Sequence, residues 1–509
     1  MASCQHAANT RSRQNKSARD QTVSILVIDI GTSSLRAAIV RHDGSIHFLN
    51  HEACRPSTPA PGLVEFDAQI MAESVLRVCA KTIEQSRATD KIVGVGITNQ
   101  RASTVIWSKS TGKPFGPALG WQDLRTVGEC ITAAAEHGIK LAPNQTATKA
   151  AWMLSHYIDA NKIDRRDVRI GTVDSFVAAV LSNNQLHTTD SSNAAVTGLC
   201  SIDAQSWSPR LCDLLRVDID TLPTIVASTG VIGNATALPN SPPIAALIGD
   251  QQSSLIGQAC ISSGATKITF GTGGMLNTFT GQRAPKNFTR DTQGTYPIVA
   301  YRDATQTHWA SEAIMLAAGT NIDWLREDLK LINSPEESHE IAAQVDDSAG
   351  VVFVPALFGL GTPHWDYGAR GTLLGITRGT SRSHIVRAVL EGIAQRGADM
   401  VDSVVEATKL EVGSIRIDGG MSRNPTFVQA LADATRRTIE VSPVTEATTL
   451  GAAFLAGVGV SFWSSLDEAT STWKPAQIVT PNRPLDRAQW HEAILRARNW
   501  IPALSSLDF

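Results

Sequence analysis

The chain has 509 residues, of which 42% are hydrophobic and 18% charged, with a formal net charge of -3. That length carries at least two cores, and the slightly acidic balance argues against nucleic acid as the main partner, because a phosphate backbone asks for a basic surface. No apolar run approaches the roughly 20 residues of a membrane span, and the seven cysteines are scattered, odd in number and without a C-x-x-C pair, so a reducing, cytoplasmic setting is expected with neither zinc site nor disulfide framework.

Residues 1–21 are polar, basic and nearly free of acids, and read as a disordered tail rather than a secretory signal. Residues 24–40 then give an apolar, β-branched strand, a tight G-T-S turn and a second strand. A further strand is expected over 45–54, a helix over 68–87, and strands over 92–98 and 102–107. Residues 149–157 and 174–181 look helical. The strand 244–248 runs into Gly249-Asp250, and a Ser/Gly break at 262–264 marks a domain joint. The second half repeats the style, with a hairpin over 267–279, a helix over 314–325, a strand over 351–355 and a long amphipathic helix over 384–405. A strand over 414–417 ends in Asp418-Gly419-Gly420, followed by helices over 424–434, 447–457 and 487–500. The alternation predicts an α/β architecture with partly parallel sheets. Trp152, Trp324 and Trp500 are assigned to packing.

The two hairpins carry the chemistry. Each places a Gly-Thr turn between apolar strands, and such turns leave backbone N–H groups free to point at one anion. Two of them, about 240 residues apart, suit the phosphates of one nucleotide held between two similar halves. No G-x-x-x-x-G-K-[ST] loop occurs. Asp29 ends the first strand beside that turn, where a carboxylate calls for a cation such as Mg2+, and Arg36 adds positive charge near a terminal phosphate. Asp250, at the end of another strand, suits a general base for an attacking hydroxyl. The Gly419-Gly420 turn lets a flat ring lie against backbone, with Asn424 offering hydrogen bonds at the next helix.

These pieces, with GITNQRASTVIW (96–107), GWQDLRT (120–126), GTVDSF (171–176), TDSSNA (189–194), FVPALFGLGTPHWDYGARGTLLGITRGT (353–380), DGGMSRN and VTEATTLGAAFLAG, resemble the FGGY carbohydrate kinases, their glycerol kinase branch most closely. The resemblance implies two ribonuclease-H-like domains of the actin and hexokinase type around a catalytic cleft: an N-terminal substrate-binding domain over 22–262, a C-terminal ATP-binding domain over 263–462 and a helical extension over 463–509. It implies ATP-dependent phosphorylation of a polyol or sugar hydroxyl in a protein that can form a homodimer. It makes Asp250 the general base, with Asp29 and Asp250 as the carboxylates at Mg2+. Gly31, Thr32, Ser33 and Arg36, with Gly271, Thr272 and Gly273, fall to the ATP phosphates, and Gly319, Gly420, Met421 and Asn424 to the nucleoside. Arg101, Ala102, Trp121, Asn144, Asp250, Gln251 and Met275 fall to the substrate.

Three of those last positions depart from the glycerol-binding pattern. Ala102 stands where that branch has Glu, Asn144 where it has Tyr, and Met275 where it has Phe. Losing a charged acceptor and two large side chains favours a longer polyol or a sugar over glycerol. A true glycerol kinase is one alternative. Another is an actin- or heat-shock-type ATPase without a sugar substrate, since that fold serves several functions; NQRAST and GWQDLRT argue against it.

Overall fold

The computed structural model describes residues 21–507, so the expected tail lies outside the described residues except for Gln21. Strand Thr22–Ile30 pairs antiparallel with Ser34–Arg41 and parallel with Asp90–Asn99. It sits inside a six-stranded sheet in the order Thr229–Asn234, Pro243–Gly249, Asp90–Asn99, Thr22–Ile30, Ser34–Arg41, Ile46–Ala53. Both faces of this strand are covered, which explains its unbroken apolar run. Leu26 and Ile28 join the core under helix Ala68–Ser86, whereas Ile25 and Val27 join the core under helix Ala447–Gly459. Each such fully buried side chain contributes about 1.5–3 kcal/mol.

The second half repeats this plan. Thr266–Phe270 pairs antiparallel with Gly274–Gly281 and parallel with Ile415–Asp418, which in turn runs parallel with Ile439–Val441. The seven-stranded sheet runs Tyr296–Arg302, Thr307–Met315, Gly274–Gly281, Thr266–Phe270, Ile415–Asp418, Ile439–Val441, Gln477–Val479. Three expectations are corrected here. Ile314 belongs to the strand Thr307–Met315, and the helix expected over 314–325 begins only at Thr320. The stretch after residue 462 is not purely helical, since Gln477–Val479 adds an edge strand to the second sheet. Trp500 is 71% exposed and packs little, against expectation, whereas Trp152 stacks on His156 and Trp324 on Phe353.

The halves exchange helices. Helix Asp250–Gly257 leaves the first sheet and packs against strands Gly274–Gly281 and Tyr296–Arg302 of the second. Helix Ala447–Gly459 follows the second sheet and covers the first. The two helices cross in backbone contact: a Cβ on Gly257 would lie 1.9 Å from the Ala447 carbonyl oxygen, and one on Gly451 1.8 Å from that of Ser253. Only glycine fits at such a crossing. Ser253 Oγ also donates to the Thr448 carbonyl at 2.6 Å. A small four-stranded sheet (Val168–Thr172, Thr104–Ser108, Ala118–Leu119, Glu65–Phe66) stands beside the first and carries the segments that flank Arg101 and Trp121. Among the described residues no helix is long and apolar enough to cross a membrane.

Candidate active site

The first turn and the two exchanged helices meet in one place. Asp29, at the end of its strand, is only 6% exposed. Its Oδ2 accepts from Thr448 Oγ1 at 2.7 Å, in the first turn of helix Ala447–Gly459. Arg36 lies opposite it in the hairpin register, with its guanidinium 3.9 Å from Asp29 and paired to Glu446. Burial pushes the Asp29 carboxyl up to about 6, against the Thr448 hydrogen bond and Arg36, and the nearby Asp250 charge adds to the rise.

Asp250 opens its helix at the end of strand Pro243–Gly249. Its position is braced from below. The Gly249 N–H donates to Ser192 Oγ, which donates to the fully buried Asp190, itself also bonded by Ser228. The motif TDSSNA thus supports the strand end rather than contacting the cleft. Arg101 Nε is 3.7 Å from Asp250 Oδ1, and Arg101 Nη2 reaches Glu312 at 3.0 Å. Burial raises the Asp250 carboxyl above the ordinary carboxylate range, and Arg101 opposes it most strongly.

On the opposite side, the turn Gly271–Gly273 is tied to the helix Thr320–Glu327. Gly319 N–H donates to the Gly271 carbonyl at 2.9 Å and Ala318 N–H to that of Thr272 at 2.8 Å. A Cβ on Gly319 would lie 2.6 Å from Gly271 O, and one on Gly273 2.7 Å from Met315 O, whereas Gly271 and Gly420 face open space. Gly419, with φ +88, packs its backbone on Phe270 O. A cavity of about 400 Å3 opens at this turn, lined by Asp418, Gly419, Ser422, Arg423, Ser442 and Thr445. Met421 is buried in the core beneath. Asn424 caps the helix Pro425–Thr435, its Oδ1 accepting from Phe427 N–H and its Nδ2 donating to Ser338 Oγ, so both ends of its amide are engaged.

The expected substrate residues fall on both sides of the cleft. Trp121 Nε1 donates to Thr32 Oγ1 at 3.1 Å, joining that ring to the first Gly-Thr turn. Ser33 is exposed and Gly31 half-buried at that turn. Ala102, with φ 61, is buried behind Arg101. Asn144 is exposed, and its carbonyl shares the ammonium of Lys149 with that of Gly120, at 3.1 and 3.0 Å. Lys149 is fully buried, which brings its ammonium down to about 7. Gln251 Oε1 accepts from Lys267 Nζ at 3.1 Å. Met275, half-buried, opposes Thr269 and Ile314 on the second sheet.

Sequence reasoning missed Lys267, Glu312, Glu446 and Thr448. The first two left a signal, a charge inside an apolar strand, which survives burial only when paired. Their partners Gln251 and Arg101 come from the other half.

Among the described residues no group of three or more His, Cys, Asp or Glu could hold a metal. Asp29 and Asp250 nonetheless fit Mg2+, which takes one or two carboxylates and completes its shell with water and phosphate. Two buried carboxylates whose protonation burial favours, with Asp250 adding to the rise at Asp29, are stabilised by a nearby cation. The open Gly271 and Gly420 faces likewise fit a nucleotide laid against backbone.

The N-terminal domain model of the FGGY family of carbohydrate kinases matches residues 24–257 and the C-terminal domain model residues 266–460. The chain is 39% identical over 495 residues to the glycerol kinase of Trichlorobacter lovleyi, covering 94% of this chain and 99% of that one. It is also 39% identical over 497 residues to the glycerol kinase of a Janthinobacterium species, with the same coverage. The crystal structure of Plasmodium falciparum glycerol kinase with ADP superposes with a TM-score of 0.87 at 30% identity, covering 94% of this chain and 98% of that one. The ligand-bound xylulose kinase from Lactobacillus acidophilus shares the fold, with a TM-score of 0.82 at 20% identity over 95% of this chain and 99% of that one.

Proposed function

The chain belongs to the FGGY family of carbohydrate kinases, and from that premise we propose that it transfers the terminal phosphoryl group of ATP to a hydroxyl of a polyol or sugar, with Asp250 as general base. The observation that carries this reading is the placement of Asp250, braced at its strand end, beside Arg101 and close enough for its charge to act on Asp29. Phosphoryl transfer leaves the protein little covalent chemistry, so positioning and charge neutralisation do most of the work.

Arg101 orients the acceptor hydroxyl and holds Asp250 in its charged form, so that the carboxylate takes the proton as the hydroxyl attacks. The Gly31–Ser33 and Gly271–Gly273 backbones cradle the phosphates from the two sides, and Arg36 approaches from the first hairpin. Asp29 and Asp250 would hold Mg2+ through water, and the ion would supply positive charge against the phosphates. Closing the two halves keeps water from competing as acceptor.

Glycerol is the second candidate substrate, favoured by the two glycerol kinases at 39% identity. Ala102, Asn144 and Met275 favour a longer compound. The test is substrate-dependent ADP release across glycerol, erythritol, pentitols, ketopentoses and hexoses, with Asp250→Ala as control. The reading expects strong dependence on one of these compounds and loss of turnover in Asp250→Ala. Equal ADP release with and without every compound sinks it.

A further inference from the structure

The face of the second sheet that packs against helix Asp250–Gly257 carries a row of polar groups foreign to its otherwise apolar strands. Asn277 stands at its centre, opposite Lys267 on one neighbouring strand and Glu312 on the other. All three are buried, with Asn277 and Lys267 fully so. Lys267 reaches Gln251 and Glu312 reaches Arg101, so the row touches two residues assigned to the substrate. Met275, a third, lies two positions before Asn277 on the same face of its strand, roughly 7 Å away.

Asn277 has one unmet need. Its Nδ2 donates to Glu312 Oε2 at 3.0 Å. A carboxylate accepts and does not donate, so chemistry fixes the amide with its NH2 toward Glu312. That leaves Asn277 Oδ1 pointing the other way, fully buried and with no hydrogen-bond partner. A buried acceptor without a donor is costly, and native structures rarely leave one unexplained. Arg101 spends its Nη2 on Glu312 and leans its Nε toward Asp250. The next residue does not fill the space beside Arg101, since Ala102 ends at Cβ.

Resting on the kinase reading, we propose that Asn277 Oδ1 and Glu312 form a distal hydroxyl subsite, so that the substrate is a polyol or ketose of four or more carbons whose far hydroxyl donates to Asn277. The reacting hydroxyl stays at Asp250 and Arg101, and the additional carbons carry a second hydroxyl past Arg101 to the second sheet. Specificity then comes from both halves, and the substrate reaches Oδ1 only where side chains beside Arg101 give way.

The experiment compares kcat/KM for glycerol, erythritol, xylitol, ribitol and xylulose in the parent protein, in Asn277→Leu and in Asn277→Thr. Leucine removes the Oδ1 acceptor, together with the Nδ2 donor to Glu312, at similar volume, and threonine restores a hydroxyl that can donate to Glu312 and accept from substrate. The expected result is a fall of about 10-fold for the preferred four- or five-carbon compound in Asn277→Leu, the loss of one hydrogen bond, with glycerol changed less than about 3-fold and partial recovery in Asn277→Thr. Unchanged ATP affinity, measured in the same preparations, separates this from misfolding. A uniform loss across all compounds, or a parent protein that prefers glycerol, overturns the subsite while leaving the kinase reading intact. A parent protein that turns over none of the compounds overturns both.

Discussion

The two hairpins at the cleft share a topology and differ in every functional respect. In the first, Asp29 pairs across with Arg36 and Ile30 with Leu35, so four residues form the turn; in the second, Phe270 pairs with Gly274 and three suffice. The first strand is apolar on both faces and delivers charge only at its end, through Asp29. The second alternates, with Ile268 and Phe270 in the core and Lys267 and Thr269 turned to the other face. One half brings the carboxylate, and the other brings backbone and a row of neutralised polar groups. A repeated fold therefore divides the labour: charge on one jaw, fit on the other.

The most direct way to break that division is to remove the proposed base from the charged side. Asp250→Asn should lower turnover by about 100- to 10,000-fold, read as substrate-dependent ADP release, with ATP affinity retained. If turnover survives, the charge does not reside there.

Asp29 offers a test by stability. Its carboxyl is pushed up to about 6 from 3.8, so between those values the folded state holds more protons than the unfolded one, and stability falls as pH rises. Asparagine can still accept from Thr448. In chelator-treated protein, Asp29→Asn should therefore be more stable than the parent by about 3 kcal/mol near pH 8, and the gap should close below about pH 4, as followed by denaturant unfolding. The same variant should lose most of its Mg2+-dependent activity.

The fitted side is probed by Gly273→Ala and Gly319→Ala. Each Cβ would press on a carbonyl oxygen, at 2.7 Å on Met315 and 2.6 Å on Gly271. The KM for ATP should rise about 10-fold, roughly 1.4 kcal/mol, with the KM of the hydroxyl substrate nearly unchanged. The mildest comparison sets Thr32→Val against Thr272→Val. Thr32 holds Trp121 through its hydroxyl, whereas hydrogen bonds to Thr272 use its carbonyl. The first change should raise the hydroxyl-substrate KM about 3-fold, the worth of one exposed hydrogen bond, and the second should leave it alone.

Both hairpins were legible in the sequence because each is local: a β-branched run, a Gly-Thr turn and a second run within about 17 residues. The strand Thr307–Met315 was not. Its WASEAIM stretch mixes Ala, Glu and Met, good helix formers, and its pairing with Gly274–Gly281 overrides that preference. Glu312 and Lys267 went unnoticed for a related reason. A buried charge becomes interpretable only beside its partner, and Arg101 lies 211 residues from Glu312. TDSSNA was visible as a motif, but its work, bracing Gly249 through Ser192, is a matter of distance.

The crossing of the two exchanged helices bears on how the jaws can move. With Gly257 and Gly451 in backbone contact, the helices can swivel about that point but have no room to slide inward and no slack to lose. It acts as an axle. Asp250 and Thr448 stand about two turns or less from it along their helices, and Asp29 is tied to Thr448, so both carboxylates stay close to the pivot. A chain built this way can open and close about that crossing while Asp29 and Asp250 stay nearly still.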